Sequence, residues 1–515
     1  MDLYTLLKLT DRAQLLKHTY SIEELQSIQV TSITDDSRQA GPNVLFCATK
    51  NGRQFIEESA AVGSILLLPN DWKVGNRYEN KILRCASPDR MMGRLSSAFE
   101  GDPSKDLKIV AVTGTNGKTT TTHMLFYLWK QLKKPCALIG TLGVKIFNGS
   151  QETAWQTGFT TPRSYELHSI LRQFVEQGIS LVAIEASSEA LSLGRLEGLS
   201  FSCILFTGLG RDHLNYHQTI DRYMRAKRHL FFLKLRKSKS APAFVFAGDS
   251  EEEMNQTQEE KLVYNLLSRF VRRTNQSIAW LAGAQINSIA TQNQPVPTFF
   301  NRVNAALALQ GLSTTTGKLD WNQPLLADFE GVPGRMQRIK VTQLIDVFID
   351  YAHSPDSLQR VLSEIKLIGY DFSVVVFGCG GDRDKGKRPL MGQIAAELAD
   401  LIFITDDNPR TEDANEIRLE ILTGIEMIQS ERDSNSQYNK FRKIDIEEIV
   451  PIGNVTIANE EWLADLREKR APLIFNIGDR KIAISSALQL ANSTLARTAV
   501  IIAGKGHETY QIIGK

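Results

Sequence analysis

Short apolar, β-branched runs alternate along this chain with longer stretches whose apolar positions recur at helical spacing, and glycine-bearing polar turns separate them. Ile109-Val110-Ala111-Val112 is such a run, as a strand buried on both faces requires. A glycine loop follows it, and residues 123–133 then carry helical spacing. Residues 137–140, 181–185 and 203–207 repeat the strand pattern, and a helix is predicted from the turn at 160–162 to Glu176. This alternation predicts a doubly wound sheet over 108–332. Upstream, runs at 44–48 and 65–68 flank a helical 55–62, a small α/β unit closed by a linker at 101–104. Downstream, runs at 347–350, 374–377, 401–405 and 500–503 form a third α/β block. The expectation is an α/β protein of three domains, 1–106, 107–333 and 334–515, the middle one a phosphate-loop sheet and the last Rossmann-like. Residues 430–470 are charged and weakly periodic, and read as an insertion or irregular excursion.

Composition agrees with that scale. A chain of 515 residues has room for three domains at roughly 150 residues each. A formal net charge of +2 argues against a nucleic-acid partner or a membrane surface. No apolar run approaches the roughly 18 residues of a spanning helix, so no membrane insertion is expected. The N-terminus carries an early acid, Asp2, and lacks the long apolar core of a signal peptide. Five scattered cysteines, with no C-x-x-C pair, argue against a disulfide framework or cysteine zinc site and for reduced thiols in the cytoplasm.

The chemistry begins at Thr113-Gly114-Thr115-Asn116-Gly117-Lys118-Thr119, set between strand and helix. Glycines let backbone N–H groups converge on phosphate oxygens, and a helix N-terminus adds positive potential. Lys118 would reach the β- and γ-phosphates and Thr119 would hold Mg²⁺. Val112 stands where the common motif has its first glycine, so the motif is shortened; the alternative is an ordinary glycine turn. Glu185, at a strand end, can share the Mg²⁺. His213 in its loop is open between ligand and structural residue, and Lys227 by itself reads as a solvated surface lysine. Three charged loops follow strands of the last block: 377–389, Asp407-Asn408-Pro409-Arg410, and Gly504-Lys505-Gly506-His507-Glu508. Arginines suited to bidentate capture of carboxylate, beside a carboxylate, suggest a pocket for a small zwitterion.

The motifs TGTNGKT (113–119), TTP (160–162), EASSEAL (185–191), DHLNYH (212–217), RAK (225–227), NRVNAA (301–306), VPGRM (332–336), DYAHSPDSL (350–358), FGCGGDRDKGKRPLMG (377–392), DDNPRTED (406–413) and AGKGHETYQ (503–511) occur in that order. With them the chain resembles the ATP-dependent Mur ligases of peptidoglycan synthesis, from Asp36-Ser37-Arg38 to Gln511. The resemblance implies a domain gripping a UDP sugar, a central ATPase and a domain bringing the amino acid. It implies ATP and Mg²⁺, and a γ-phosphoryl transfer to the carboxylate of UDP-N-acetylmuramoyl-L-alanyl-D-glutamate before amine attack. Lys118, Glu185, His213 and Lys227 would form the catalytic set. Thr119, Glu185, His213 and a carbamylated Lys227 would hold metal. ATP would lie against Gly114, Thr115, Asn116, Gly117, Lys118, Thr119 and Thr120, with Asn301, Asn304, Arg335, Asp350 and His353. The sugar dipeptide would meet Ser37, Thr160, Thr161, Ser187 and Arg195. By resemblance, Asp-Asn-Pro-Arg goes with meso-diaminopimelate, which would meet Arg383, Asn408, Pro409, Arg410, Gly504 and Glu508.

Glu189, Leu193, Gly208 and Asn215 stand where the family usually has histidine, glutamine, asparagine and aspartate. A cytoplasmic monomer is expected. The alternatives are the same ligase adding L-lysine, a folylpolyglutamate synthetase-like ligase, or a nucleotide-binding relative that no longer ligates. A P-loop motor or signalling GTPase would leave the last block's charged loops without a use.

Overall fold

The structure, a computed structural model, describes residues 1–50, 52–72, 82–210, 212–237, 242–246, 258–274, 278–281, 286, 298–317, 325–433, 442–444, 472–508 and 510–514. Three parallel-rich sheets carry it, each flanked by helices, so the α/β class expected from the alternating pattern holds. The first is β1 (Ser32–Thr34), β2 (Val44–Cys47), β3 (Ile65–Pro69) and β4 (Ile82–Cys85), parallel and in that order. Helices Leu3–Leu9 and Pro88–Phe99 cover one face through Leu6, Leu45, Leu67, Leu83 and Leu95.

The second sheet holds β5 (Lys108–Thr113), β6 (Cys136–Gly140), β7 (Gly143–Phe147), β8 (Glu152–Trp155), β9 (Leu181–Glu185), β10 (Cys203–Phe206), β11 (Ala243–Phe246) and β12 (Ala279–Leu281). Its order is β12-β11-β10-β5-β9-β6-β7-β8. β5 lies between β9 and β10, both parallel to it, which buries Ile109, Val110, Ala111 and Val112 completely. β6 is the strand expected at 137–140, and β7 and β8 extend the sheet from it as an antiparallel edge that the sequence pattern did not reveal. All four residues of β8 are exposed, so neither face carries an apolar signal. The helix after the glycine loop begins at Lys118, earlier than its apolar spacing suggests, and runs to Gln131. Threonines are weak helix formers, yet Thr122 Oγ1 donates back to the carbonyl of Lys118 at 3.1 Å, and all four threonines 119–122 are buried.

The third sheet holds β13 (Gln337–Lys340), β14 (Ile345–Asp350), β15 (Phe372–Phe377), β16 (Leu401–Ile404), β17 (Arg442–Ile444), β18 (Leu473–Asn476) and β19 (Thr498–Ala503). Its order is β13-β14-β19-β15-β16-β18-β17, parallel except at β13. The helix Ala414–Asp433 enters the 430–470 stretch and β17 falls in it; the rest of that stretch lies outside the described residues.

By compactness the chain forms two units. One comprises 1–209, 219–295 and 302–328, the other 210–218, 296–301 and 329–515. The first two sheets therefore share a unit. One tie between them is a buried ion pair: Arg94, on the helix Pro88–Phe99, lies 2.9 Å from Glu197, the side chains 5% and 1% exposed. His229 Nε2 adds a contact to Glu197 Oε1 at 3.0 Å. Removing one partner leaves a buried charge uncompensated, at a cost of about 3–5 kcal/mol. Glu197→Ala is therefore expected to lower the unfolding free energy by about 3 kcal/mol, measured by urea denaturation. An unchanged midpoint would show that the pair is not what joins the sheets.

All five cysteines are buried free thiols. No described helix is long and apolar enough to cross a membrane.

Candidate active site

β5 ends where the glycine loop begins, and two close approaches explain its glycines. A Cβ at Gly114 would stand 2.0 Å from Thr207 Oγ1, and one at Gly117 2.3 Å from Asn304 Oδ1, both at positive φ. Lys118 Nζ curls over the loop, donating to the carbonyls of Gly114 at 3.0 Å and Thr115 at 2.8 Å. Lys227 reaches the same Gly114 carbonyl from the helix Ile220–Lys237, at 2.5 Å. It is 1% exposed, with its ammonium 4.4 Å over the Tyr223 ring, which corrects the reading of Lys227 as a surface residue. The helix looks charged in sequence, but packing turns this position inward.

Glu185 ends β9, fully buried. Its Oε2 accepts from the hydroxyls of Thr119 and Thr141, each at 3.0 Å, and its Oε1 from the Thr141 N–H at 3.0 Å. Thr160 Oγ1 lies 3.1 Å from Thr141 Oγ1, while Thr161 Oγ1 donates to the Glu185 carbonyl at 2.7 Å and lies 3.4 Å from Ser187 Oγ. Arg195 donates to the Thr161 carbonyl at 2.7 Å. Thr141 is a residue that motif reading missed; its only sequence signal is a hydroxyl one position beyond a strand end.

The loop of Ser37 meets this cluster. Arg163 NH1 lies 3.0 Å from Asp35 Oδ1, and Phe159 sits under two guanidiniums, Arg195 at 4.6 Å and Arg163 at 5.7 Å from its ring centre. Asp35 and Arg163 were not anticipated.

The residues of this unit fit a nucleotide and a hard cation. Among the described residues, Asn116 Nδ2 is buried without an acceptor, a donor held ready within the loop. Thr119 Oγ1 and Glu185 Oε2 are adjacent hard oxygens of the kind Mg²⁺ takes. Among the described residues, no cluster of three or more His, Cys, Asp or Glu side chains forms a metal site by itself.

The remaining expected residues belong to the second unit, apart from Asn304, which accepts from Thr121 Oγ1 at 3.2 Å beside the loop. His213 precedes the short helix Leu214–His217 with φ +53°, its Nε2 3.5 Å from Asp212. Asn301 lies in the first turn of the helix Phe299–Thr316, its N–H on Thr298 Oγ1 at 3.3 Å. Asp350 ends β14 and accepts from the N–H groups of Met336 at 2.6 Å and Ala352 at 2.8 Å. Burial raises its pKa against the pull of Arg335. The Arg335 guanidinium lies 4.3 Å from the Tyr351 ring centre, and His353 Nδ1 2.8 Å from the Tyr351 carbonyl.

Loops after β15, β16 and β19 converge, as parallel strands of one sheet require. Glu508 Oε1 accepts from Tyr351 Oη at 3.2 Å and its Oε2 from Asn408 Nδ2 at 3.3 Å. Lys505 Nζ donates to Asn408 Oδ1 at 3.0 Å. Gly504 has φ +111°, and a Cβ there would stand 2.8 Å from Asp407 Oδ2. Arg410 donates to the Gly381 carbonyl at 2.8 Å, Pro409 packs its carbonyl against Gly381, and Arg383 is exposed on the same loop. Carboxylate, ammonium and guanidinium thus share one rim. Lys505 and Tyr351 are additions to the anticipated set.

A phosphate loop backed by a buried carboxylate is the layout of a nucleotide-handling α/β enzyme. Residues 112–309 match the Mur ligase middle domain, and residues 334–445 the Mur ligase glutamate ligase domain. The chain belongs to the Mur ligase family, ATP-dependent acid–amino-acid ligases of peptidoglycan synthesis. It is 33% identical over 512 residues to UDP-N-acetylmuramoyl-L-alanyl-D-glutamate--2,6-diaminopimelate ligase of Leptospira borgpetersenii serovar Hardjo-bovis, covering 95% of this chain and 91% of that one. A solved structure of a ligase with the same name shares 28% identity and a TM-score of 0.56, over 94% of this chain and 91% of that one. Folylpolyglutamate synthase of Mycobacterium tuberculosis, complexed with ADP and AMPPCP, has a TM-score of 0.53 at 16% identity, over 79% of this chain and 91% of that one. That likeness is one of fold.

Proposed function

We propose that this protein joins meso-2,6-diaminopimelate to UDP-N-acetylmuramoyl-L-alanyl-D-glutamate, with ATP and Mg²⁺, as a cytoplasmic monomer without nucleic-acid partners. The observation that carries the reading is the rim where Asn408, Arg410 and Glu508 meet, in a chain whose curated relatives bear that ligase name. Residues 1–106 are assigned to the UDP sugar, 107–333 to ATP and 334–515 to the amino acid.

In this reading Gly114 to Thr120 hold the phosphates, with Asn301, Asn304, Arg335, Asp350 and His353 on the rest of ATP. Lys118 faces the charge that develops as the γ-phosphoryl group passes to the D-glutamyl carboxylate. Thr119, Glu185, His213 and a carbamylated Lys227 would hold Mg²⁺, which would supply neutralising charge to the phosphoryl group. Carbamylation leaves one hydrogen on Lys227 Nζ, so the bond to the Gly114 carbonyl can persist. Ser37, Thr160, Thr161, Ser187 and Arg195 orient the sugar dipeptide. The amine then attacks the acyl phosphate and phosphate leaves. Arg383, Asn408, Pro409, Arg410 and Gly504 receive the amino acid, Arg410 pairing with its far carboxylate and Glu508 with its far ammonium.

The test is phosphate release from ATP and the UDP dipeptide, with diaminopimelate or L-lysine. Release with diaminopimelate alone is expected. Arg410→Ala is expected to lower kcat/KM for diaminopimelate about 100-fold, as loss of a charge-assisted contact implies. Release with lysine instead would keep the ligase and remove the role given to Arg410. Release that needs no amino acid would overturn the ligase reading.

A further inference from the structure

Two residues beyond Arg410 stands a carboxylate with no place in the reaction described above. Glu412 Oε1 accepts from Arg388 NH2 at 3.0 Å and from the Asp382 N–H at 2.5 Å. Its Oε2 accepts from Arg388 NH1 at 3.0 Å and lies 3.0 Å from Lys385 Nζ. The Arg388 side chain is wholly buried, and it also donates to Glu420 at 2.8 Å and to the Gly380 carbonyl at 3.2 Å. This bidentate pair fixes direction as well as distance.

The pair fastens the loop after β15 to the loop after β16. Thr411 Oγ1 donates to Asp382 Oδ1 at 2.7 Å, and the Gly381 N–H to the Asn408 carbonyl at 2.9 Å. Gly381 comes so close that a Cβ there would stand 1.9 Å from the Pro409 carbonyl oxygen. Arg410 hangs from this stitched edge in the left-handed region, φ +52°. A non-glycine residue there is strained by roughly 1–2 kcal/mol and persists where its surroundings over-determine it. Arg383 rides on the other loop of the same clip.

We propose that Glu412 is a positioning residue: clamped by Arg388, it sets where the guanidiniums of Arg410 and Arg383 stand, and so tunes capture of the incoming amino acid. It touches no substrate. The proposal rests on the reading that this rim takes the amino acid. Hydrogen bonding to Arg388 holds the Glu412 carboxyl down at about 2, so the clip is charged throughout the neutral range. Glutamine would keep the shape but turn an N–H₂ toward the donors of Arg388 or Lys385.

For Glu412→Gln, KM for diaminopimelate is expected to rise about 10-fold or more, with KM for ATP and kcat at saturating amino acid within about twofold. In the double variant with Arg410→Ala the two effects are expected to be less than additive, since only Arg383 is left for Glu412 to position. Glu420→Gln, which removes one contact to Arg388, is expected to leave KM near wild type. Hydrogen exchange at the Asp382 amide, followed without substrate, is expected to accelerate in Glu412→Gln. Faster exchange with an unchanged KM would overturn the proposal, leaving Glu412 a structural residue. A wild-type protein inactive with diaminopimelate would instead fail the functional reading, while the exchange result would still stand. If Glu412→Gln does not fold, Thr411→Val removes a single stitch; an unchanged KM there would overturn the proposal and a rise would support it.

Discussion

Lys118→Ala is expected to lower ATP-dependent phosphate release about 1000-fold while leaving the protein folded. The side chain donates to carbonyls of its own loop, and one of them, Gly114 O, keeps Lys227 as a second donor. Truncation therefore leaves the Gly114 carbonyl with a donor. The catalytic cost is different in kind. Loss of a single preorganised donor at a developing charge costs about 10²–10³ in kcat, and here a full positive charge is lost. A continuous phosphate assay at saturating substrates reads the loss, and a urea midpoint reads the fold. A loss under tenfold would place the phosphoryl group somewhere other than this loop.

Glu185→Gln is expected to lower kcat at least about 100-fold and to raise the Mg²⁺ concentration needed for half-maximal activity. The substitution is nearly isosteric. The amide oxygen can take the Thr141 N–H, and the amide nitrogen can face Thr119 and Thr141, whose hydroxyls turn to accept. The unfolding free energy should therefore change by only about 1 kcal/mol. Charge, not shape, is what the variant removes. Titrating Mg²⁺ after chelation decides the matter: a mutant with wild-type metal dependence would take Glu185 out of the metal site.

The sheet that carries these residues was partly legible beforehand. Ile109 to Val112 read as a doubly buried strand because every position is apolar, and β5 is enclosed on both sides. Glu185 read correctly as a strand end. β8 did not read as a strand, since an exposed edge leaves no periodic apolar mark. Lys227 is the clearest difference. Its helix is rich in Arg, Lys and His, and composition alone gives no hint that one lysine is 1% exposed against a carbonyl of the glycine loop. Thr141 and Arg163 carried no motif, yet one fixes the Glu185 carboxylate and the other ties the Ser37 loop to the Thr160-Thr161 turn.

By itself, the sequence determined what is local: the glycine loop between strand and helix, the charged loops after strands of the last sheet, and the ordered motifs of a Mur ligase. These are properties of neighbours along the chain, where backbone conformation and side-chain type suffice. Which groups meet is set by long-range packing. Thr119 and Glu185 are 66 residues apart, and Lys227 and Gly114 are 113 apart. The order β10-β5-β9 sets three strand ends side by side, and no spacing along the chain encodes that adjacency. Hydrogen bonds of about 3 Å depend on it.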